Sequence, residues 1–273
     1  MSPAPDQAQF GLGEAFAYGL LQGPTELLPV SSSGHLVIAP WVFGSDYVDL
    51  DPELRKSFEV ALHVGTAAAL VIVLRKEVFE AIREMDRRRL GVVVTSLAPA
   101  AAAVVAFERV IERKLSRPET VVAGLVAGSG AMAWADRLGG SRRRGEADWR
   151  DGLAIGFAQA LALVPGVSRS GSTIVAARAR GFTPLAATEL SMHTALPVIG
   201  AATILKGVRL GRRGLPPAMR APFAVGMAGA FASSFASARL LAHKHRGRGL
   251  MKYVVYRLAL AVAVAIAAVR RRV

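Results

Sequence analysis

The stretch QGPTELLPVSSSGHL, residues 22–36, lies between apolar segments but contains two prolines, two glycines, three consecutive serines, a glutamate and a histidine. Proline and glycine interrupt helices, and polar groups are costly in apolar surroundings unless they have partners. The stretch therefore predicts a broken helix whose turn lines a polar site.

The sequence around this stretch is apolar in blocks. The chain has 273 residues, of which 52% are hydrophobic. Six blocks of about 16 to 22 residues approach the length of about 20 residues that a transmembrane helix needs. They are residues 58–74, 90–107, 120–135, 187–205, 221–242 and 253–269. The sequence therefore predicts an all-α polytopic membrane protein.

The net charge of +14 is carried by basic stretches that end or connect the apolar blocks. Basic loops beside apolar spans are the ordinary membrane pattern, since they attract anionic lipid headgroups. We therefore expect membrane lipids as partners and no nucleic acid. The absence of cysteine excludes disulfides and thiolate metal sites. The first ten residues have no basic and apolar leader pattern, so no cleaved signal peptide is expected.

A second broken stretch, AQALALVPGVSRSGSTIV at residues 158–175, aligns with the first when the chain is shifted by 137 residues. Gln22 then falls on Gln159, and Ser31 falls on Ser168. Two Glu-x-x-x-His motifs align at a shift of 130 residues. Each half thus contains a broken element followed by three spans, and an odd number of spans makes the second half enter from the opposite face.

The predicted fold is an inverted-topology repeat of six transmembrane helices plus two re-entrant helical hairpins. We expect one membrane domain over residues 1–273, with the repeats at about 8–138 and about 150–272. Non-helical backbone at membrane depth is tolerated only where protein or a wet cavity surrounds it. The hairpin turns, near 29–34 and 166–171, should therefore line a site.

Candidate site residues in the first hairpin begin with Glu26. This carboxylate could hold a divalent cation or transfer protons, and the alternative is a helix cap. The run Ser31, Ser32, Ser33 and Gly34 offers hydroxyls and amides at a helix N-terminus, which favours an anion. His35 follows Ser32 by three residues and could act as a base that activates it.

The second hairpin repeats this anion site with Ser168, Ser170 and Gly171, and Thr173 adds a hydroxyl. It also contains Arg169, whose planar guanidinium grips phosphate or carboxylate with two hydrogen bonds. A salt bridge between Arg169 and Glu26 is the alternative interpretation.

The two Glu-x-x-x-His motifs are Glu59 with His63 and Glu189 with His193. Residues four apart share one face of a helix, so each pair could bind a metal ion. A helix–helix hydrogen bond is an equally good interpretation. Glu59 is the preferred second cation ligand because it is nearest to the first hairpin in the sequence.

The two broken stretches resemble the signature motifs of the undecaprenyl-diphosphate phosphatase family, the bacitracin-resistance proteins. The resemblance extends over essentially the whole chain and includes FEVALHVGT at residues 58–66. It implies an enzyme of the bacterial cytoplasmic membrane that hydrolyses undecaprenyl diphosphate and so recycles the lipid carrier for peptidoglycan. It also implies a site that faces outward and a divalent cation, magnesium or calcium.

The motif residues of the family fall on Glu26, Ser32, His35, Ser168, Arg169 and Thr173. Gln22 stands where many members of the family have a second glutamate. Its neutral side chain removes one formal charge from the cation site, which strengthens the case for Glu59. Gln22 is itself a candidate substrate-binding residue.

The sequence alone leaves several alternatives open. A polyprenyl-phosphate flippase would need the same anion site, because inverted repeats with broken helices are common in transporters. A carrier needs no nucleophile–base pair, so Ser32 with His35 favours an enzyme. The sequence does not choose between attack by Ser32 and direct attack by water, although the serine run slightly favours the former. The distribution of lysine and arginine weakly places both termini outside, and a homodimer is left open.

Overall fold

A computed structural model describes residues 10–115, 117–244 and 249–270. These residues form eleven α-helices and no β-strand, which confirms the all-α class. The helices are α1 Leu12–Leu27, α2 Ser32–Phe43, α3 Pro52–Val73, α4 Arg75–Arg83, α5 Arg87–Leu115, α6 Pro118–Asp136, α7 Trp149–Leu161, α8 Arg169–Ala179, α9 Pro184–Arg213, α10 Pro217–Lys244 and α11 Met251–Arg270.

Four helices are long and apolar enough to cross a membrane: Pro52–Val73, Arg87–Phe107, Pro217–Leu240 and Met251–Ala268. They account for four of the six predicted spans. The other two coincide with α6 and α9, which are not among these four helices. α6 contains three glycines and a serine, and the first half of α9 contains glutamate, serine, histidine and threonine. The spanning role of α6 and α9 stays a prediction.

The segment 75–89, expected as a connecting loop, is partly helical, since α4 occupies Arg75–Arg83. Its apolar residues Phe79 and Ile82 lie three residues apart and are both exposed. Three-residue spacing within a charged segment is typical of an amphipathic helix at a membrane surface.

Both predicted breaks occur. α1 ends at Leu27 and α2 begins at Ser32, while α7 ends at Leu161 and α8 begins at Arg169. The residues that precede α2 and α8 are Ser31 and Ser168, with φ of 75° and 67°. They are the only non-glycine residues with positive φ in the described parts of the chain. Such a conformation costs about 1–3 kcal/mol and is concentrated at functional sites.

The two hairpins are packed against helices of the opposite half. α1 lies along α10, and α7 lies along α5. A Cβ atom at Gly19 would lie 2.3 Å from the carbonyl oxygen of Gly226, and one at Gly156 would lie 2.7 Å from that of Thr95. Gly19 and Gly156 are aligned positions of the two halves. Small residues at these places let the helix backbones approach closely, which is how membrane helices associate.

Apolar side chains hold the first hairpin against the last helix of each half. Ile38 of α2, Val121 and Leu125 of α6, and Ala261 and Val264 of α11 are buried together in one cluster. α2 is therefore fixed between α6 and α11, and its N-terminus faces the second hairpin.

A cluster of charges fixes the loop end of the second hairpin, outside the four apolar spans. Asp151, which is fully buried, accepts hydrogen bonds from Arg142 at 2.7 and 3.0 Å and from Arg180 at 2.7 Å. Burial raises the pKa of Asp151, but the hydrogen bonds from Arg142, the Asp148 backbone and Arg180 lower it further, so the pKa lies below its usual value. This cluster ties the loop before α7 to the end of α8.

Candidate active site

One buried carboxylate joins the two hairpins. Glu26, in the last turn of α1, is only 8% exposed. Its Oε1 accepts a hydrogen bond from Nη2 of Arg169 at 3.0 Å, and its Oε2 accepts one from Oγ of Ser32 at 2.6 Å. The structure thus brings three predicted site residues together. The salt bridge that the sequence left as an alternative is present.

Gln22 and His63 complete the surroundings of this carboxylate. Nε2 of Gln22 lies 3.4 Å from Oε2 of Glu26 and 3.2 Å from Nδ1 of His63. Nδ1 of His63 is 3.9 Å from the same carboxylate oxygen. Gln22 is fully buried, and its Oε1 has no hydrogen-bond partner.

The donor atoms around Glu26 fit a hard cation in part. The carboxylate and the unpaired Oε1 of Gln22 are oxygen ligands of the kind that magnesium and calcium prefer. Within the described residues, however, no group of three or more His, Cys, Asp or Glu side chains could hold a metal ion. A cation here would need phosphate oxygens or water to complete its shell.

The first Glu-x-x-x-His motif contacts the site through its histidine. Glu59, the preferred second cation ligand, accepts a hydrogen bond from the hydroxyl of Tyr47 at 3.3 Å. His63, one turn further along α3, is the member of the pair that reaches Glu26. The role of Glu59 as a ligand stays a prediction.

His35 does not pair with Ser32 as the sequence predicted. Its side chain is buried, with Nδ1 2.7 Å from the carbonyl oxygen of Ser31 and Nε2 2.8 Å from the hydroxyl of Tyr256. The hydroxyl of Ser32 turns instead to Glu26. Three-residue spacing placed both side chains on one helix face, but Ser32 is the first residue of α2 and its side chain points toward α1.

The serines at the two helix starts act as caps. Oγ of Ser31 accepts the Gly34 N–H and Oγ of Ser168 accepts the Gly171 N–H, each at 3.3 Å. Both of these predicted anion-binding amides therefore have a partner within the protein. Ser33 is exposed, and its contact with phosphate stays a prediction.

The remaining hydroxyls of the second hairpin serve packing in the structure. Ser170 donates to the carbonyl oxygen of Leu28 at 3.2 Å, which links the two hairpins. Thr173, expected to bind phosphate, is fully buried and lies 2.6 Å from Oγ of Ser191 in α9. Its hydroxyl connects α8 to α9, and its contact with phosphate stays a prediction.

Two residues at this site were given no role by the sequence. Arg257 of α11 is fully buried and donates to the carbonyl oxygens of Pro29 at 3.3 Å and Gly166 at 2.9 Å, one in each hairpin turn. An arginine inside the last apolar block was the signal for it. Tyr256 meets His35 across 221 residues of sequence, and no local pattern points to that contact.

The second Glu-x-x-x-His motif has a different partner. Nη1 of Arg144 lies 2.7 Å from Nε2 of His193, and its Nε lies 3.8 Å from Oε2 of Glu189. The residue aligned with Glu26 in this half is Leu163. The cluster in which Arg169 and Ser32 contact a carboxylate therefore depends on Glu26 of the first half, and the second half has no carboxylate at the aligned position.

The profile of the family described as bacitracin resistance protein BacA matches residues 15–263. The undecaprenyl-diphosphatase of Geobacter sulfurreducens is 38% identical over 257 residues, 89% of this chain and 93% of its own. The undecaprenyl-diphosphatase of Thermomicrobium roseum is 36% identical over 269 residues, which cover 90% of this chain and 94% of that protein. Undecaprenyl-diphosphatase 1 of Burkholderia thailandensis is 34% identical over 266 residues, which cover 90% of this chain and 91% of that protein.

Proposed function

This chain belongs to the bacitracin resistance protein BacA family, and from that premise we propose that it is an integral-membrane phosphatase. It hydrolyses undecaprenyl diphosphate to undecaprenyl phosphate and inorganic phosphate, which returns the lipid carrier to peptidoglycan synthesis. The observation that carries the proposal is the contact of Glu26 with Arg169 and Ser32 where the two hairpins meet.

Arg169 binds the diphosphate in this proposal. A diphosphate has the paired anionic oxygens that a guanidinium grips with two hydrogen bonds, and the Arg169 side chain is 18% exposed. Substrate therefore takes over part of the contact that Glu26 makes with Arg169. The guanidinium then neutralises charge as the anhydride bond breaks, which is the main task of a protein in phosphoryl transfer.

Glu26 and the unpaired oxygen of Gln22 would hold the divalent cation, magnesium or calcium. A bound cation supplies further charge neutralisation for the diphosphate. Displacement of one Arg169 hydrogen bond by substrate would free a carboxylate oxygen for this purpose. Ser32, through its hydrogen bond to Glu26, keeps the carboxylate oriented.

The attacking group in this proposal is water. The sequence slightly favoured Ser32 as a nucleophile activated by His35, but Ser32 donates to Glu26 and the two nitrogens of His35 face Ser31 and Tyr256. His35 serves as the base for the water molecule, with undecaprenyl phosphate as the leaving group.

The enzyme is proposed to lie in the bacterial cytoplasmic membrane with six spans, two re-entrant hairpins and the site open to the exterior. The four apolar spans and the two helix breaks support this arrangement. The flippase alternative is less favoured, since the relatives of this chain are named as diphosphatases.

Release of phosphate from undecaprenyl diphosphate by the detergent-purified protein tests the activity. We expect turnover that EDTA abolishes and that magnesium or calcium restores. Glu26→Gln should lose the response to metal, because it removes the charged ligand. Activity unaffected by EDTA would contradict the cation, and no phosphate release in any condition would contradict the enzyme.

Acid quench during turnover of substrate labelled in the terminal phosphate tests the nucleophile. Direct attack by water predicts no labelled protein. Ser32→Ala should then lose only the hydrogen bond that orients the proposed cation ligand Glu26, and the loss of such a bond typically lowers activity about tenfold to a hundredfold. A phosphoprotein that Ser32→Ala abolishes would reverse this assignment.

A further inference from the structure

We propose that the hydroxyl of Tyr256 is a proton relay between the attacking water and His35. The inference deepens the proposed function and rests on it, because it concerns how His35 acts as the base. It starts from the contact between α2 and α11. There the ring centroids of His35 and Tyr256 are 5.8 Å apart, and the two ring planes are nearly parallel, with an angle of 7° between them.

The hydrogen bonds of His35 determine where its proton lies. Nδ1 faces the carbonyl oxygen of Ser31 at 2.7 Å, and a carbonyl oxygen only accepts hydrogen bonds. Nδ1 therefore carries the proton of the neutral ring, and Nε2 presents the lone pair. The hydroxyl of Tyr256, 2.8 Å from Nε2, must donate to that lone pair.

The burial of the two side chains gives the direction of the relay. His35 is 6% exposed, so its ring has little direct contact with its surroundings, whereas Tyr256 is 47% exposed and lies in the apolar helix Met251–Ala268. The basic nitrogen of His35 is thus covered by the hydroxyl of Tyr256. A base in this position receives a proton through Tyr256.

Arg257 holds Tyr256 in this position. Its guanidinium donates to the carbonyl oxygens of Pro29 and Gly166 in the hairpin turns and to that of Gly124 in α6. These bonds fix α11 against both hairpins at the residue next to Tyr256. The tyrosine hydroxyl is therefore positioned by the same elements that position Glu26 and Arg169.

The proposed step balances as follows. The oxygen of the attacking water forms a bond to the terminal phosphorus, and the bridging anhydride bond breaks with its electron pair on undecaprenyl phosphate. The proton of the water passes to the Tyr256 oxygen as the Tyr256 proton passes to Nε2 of His35. Tyrosine ends neutral, and His35 becomes the imidazolium.

The test compares Tyr256→Phe, His35→Ala and the double variant in detergent. Tyr256→Phe removes only the hydroxyl, and we expect kcat to fall about 10²-fold, within the range of general acid–base catalysis, with little change in KM. Because both residues serve one proton path, the double variant should be no slower than His35→Ala. Independent roles would instead make the losses multiply.

Tyr253→Phe is the matched control, since it removes a hydroxyl from the same helix one turn earlier. It should turn over normally. A nitrogen-15 NMR spectrum of His35 in Tyr256→Phe should still show the proton on Nδ1, and the melting temperature should be unchanged. These readouts separate a lost relay from a disturbed site.

Three outcomes overturn the relay, and they are distinguishable. Near-normal turnover of Tyr256→Phe beside a severely impaired His35→Ala would reject Tyr256 and leave His35 as the base. Near-normal turnover of His35→Ala would reject the base assigned in the proposed function, and the relay with it. Multiplicative losses in the double variant would also reject the shared path.

Discussion

In the proposed mechanism, the partner of Arg169 has to change during a catalytic cycle. Its guanidinium contacts Glu26 in the structure, and a diphosphate competes for the same donors. A buried ion pair of this kind contributes little to net stability but is costly when one partner is lost. The proposal therefore gives Arg169 both a structural and a substrate-binding task, and the two are separable by substitution.

Arg169→Lys tests the substrate-binding task. Lysine retains the charge and can still pair with Glu26, but it cannot form the two parallel hydrogen bonds of a guanidinium. We expect kcat/KM for undecaprenyl diphosphate to fall about 10²-fold, the usual loss for one transition-state donor, with an unchanged melting temperature. Arg150→Lys, at an exposed position, is the control. Near-normal turnover of Arg169→Lys would make Arg169 structural.

The identity of the central residues could be predicted from the sequence, and the pairing of Glu26 with Arg169 was one of two interpretations it offered, but the partner of Ser32 could not be predicted. Glu26, Arg169 and His35 are ionisable residues in apolar segments, and that placement alone indicates a site. The contact between Glu26 and Arg169 joins residues 143 apart. Ser32 was expected beside His35 but donates to Glu26, because a side chain at the first residue of a helix can turn away from the face that helical spacing assigns to it.

At the element scale, the position of Glu26 depends on how closely α1 packs on α10. A Cβ atom at Gly23, three residues before Glu26, would lie 2.3 Å from the backbone nitrogen of Ser234. The breaks in the helices were predictable, because proline, glycine and serine runs mark them. The helix that packs on each hairpin was not, because it comes from the opposite half.

Gly23→Ala should force α1 away from α10. Overpacking of this kind costs about 1–3 kcal/mol, and a shift of α1 would also move Glu26 and lower kcat. Gly13→Ala is the control on the same helix, since a Cβ there meets nothing within 4 Å and alanine favours a helix by about 1 kcal/mol. The melting temperature and the turnover should both fall for Gly23→Ala, and neither should fall to the same extent for Gly13→Ala. Equal effects of the two substitutions would contradict the close packing of α1 on α10.

Asp151 at the loop end of the second hairpin predicts an acid-dependent stability. Its pKa is lower in the folded protein than in the unfolded chain. The stabilisation is therefore complete above the unfolded value of about 3.9 and is lost as the pH falls through the folded value. Asp151→Asn leaves two arginines without their carboxylate and should cost about 1–3 kcal/mol at pH 7.

Melting temperatures between pH 7 and pH 3 check this expectation. The melting temperature of the unsubstituted protein should fall more steeply in acid than that of Asp151→Asn, so that the two curves converge. Asp49→Asn, at an exposed position, should follow the unsubstituted protein. Parallel curves for Asp151→Asn would mean that the cluster does not stabilise the fold.

At the scale of the whole molecule, two similar halves have become unequal. Both helix breaks have the same capping serine with positive φ, yet Leu163 stands where the first half has Glu26. The second Glu-x-x-x-His motif contacts an arginine of the loop before α7. In the predicted inverted arrangement, one face of the protein therefore has Glu26 and its partners, and the other has a loop fixed by charges.

The predicted arrangement places the loops of these two faces on opposite sides of the membrane. Because the chain contains no cysteine, single cysteines can be labelled without interference. Asp49→Cys and Gly145→Cys both introduce a thiol at an exposed loop position. A membrane-impermeant maleimide should label Asp49→Cys in intact cells and Gly145→Cys only after permeabilisation. Labelling of both from one side would contradict the inverted repeat.

The packing of α1 on α10 also has a consequence for biosynthesis. α1 is synthesised before α10, and about 190 residues lie between the end of α1 at Leu27 and the start of α10 at Pro217. At a rate of about 5–20 residues per second the ribosome needs on the order of ten seconds or more to reach α10. During that interval the glycine face of the first hairpin has no permanent neighbour and needs a temporary one, such as lipid or an insertion chaperone. The surroundings of Glu26 are thus completed late, because α1 gains its neighbour α10 only after the intervening chain has been made.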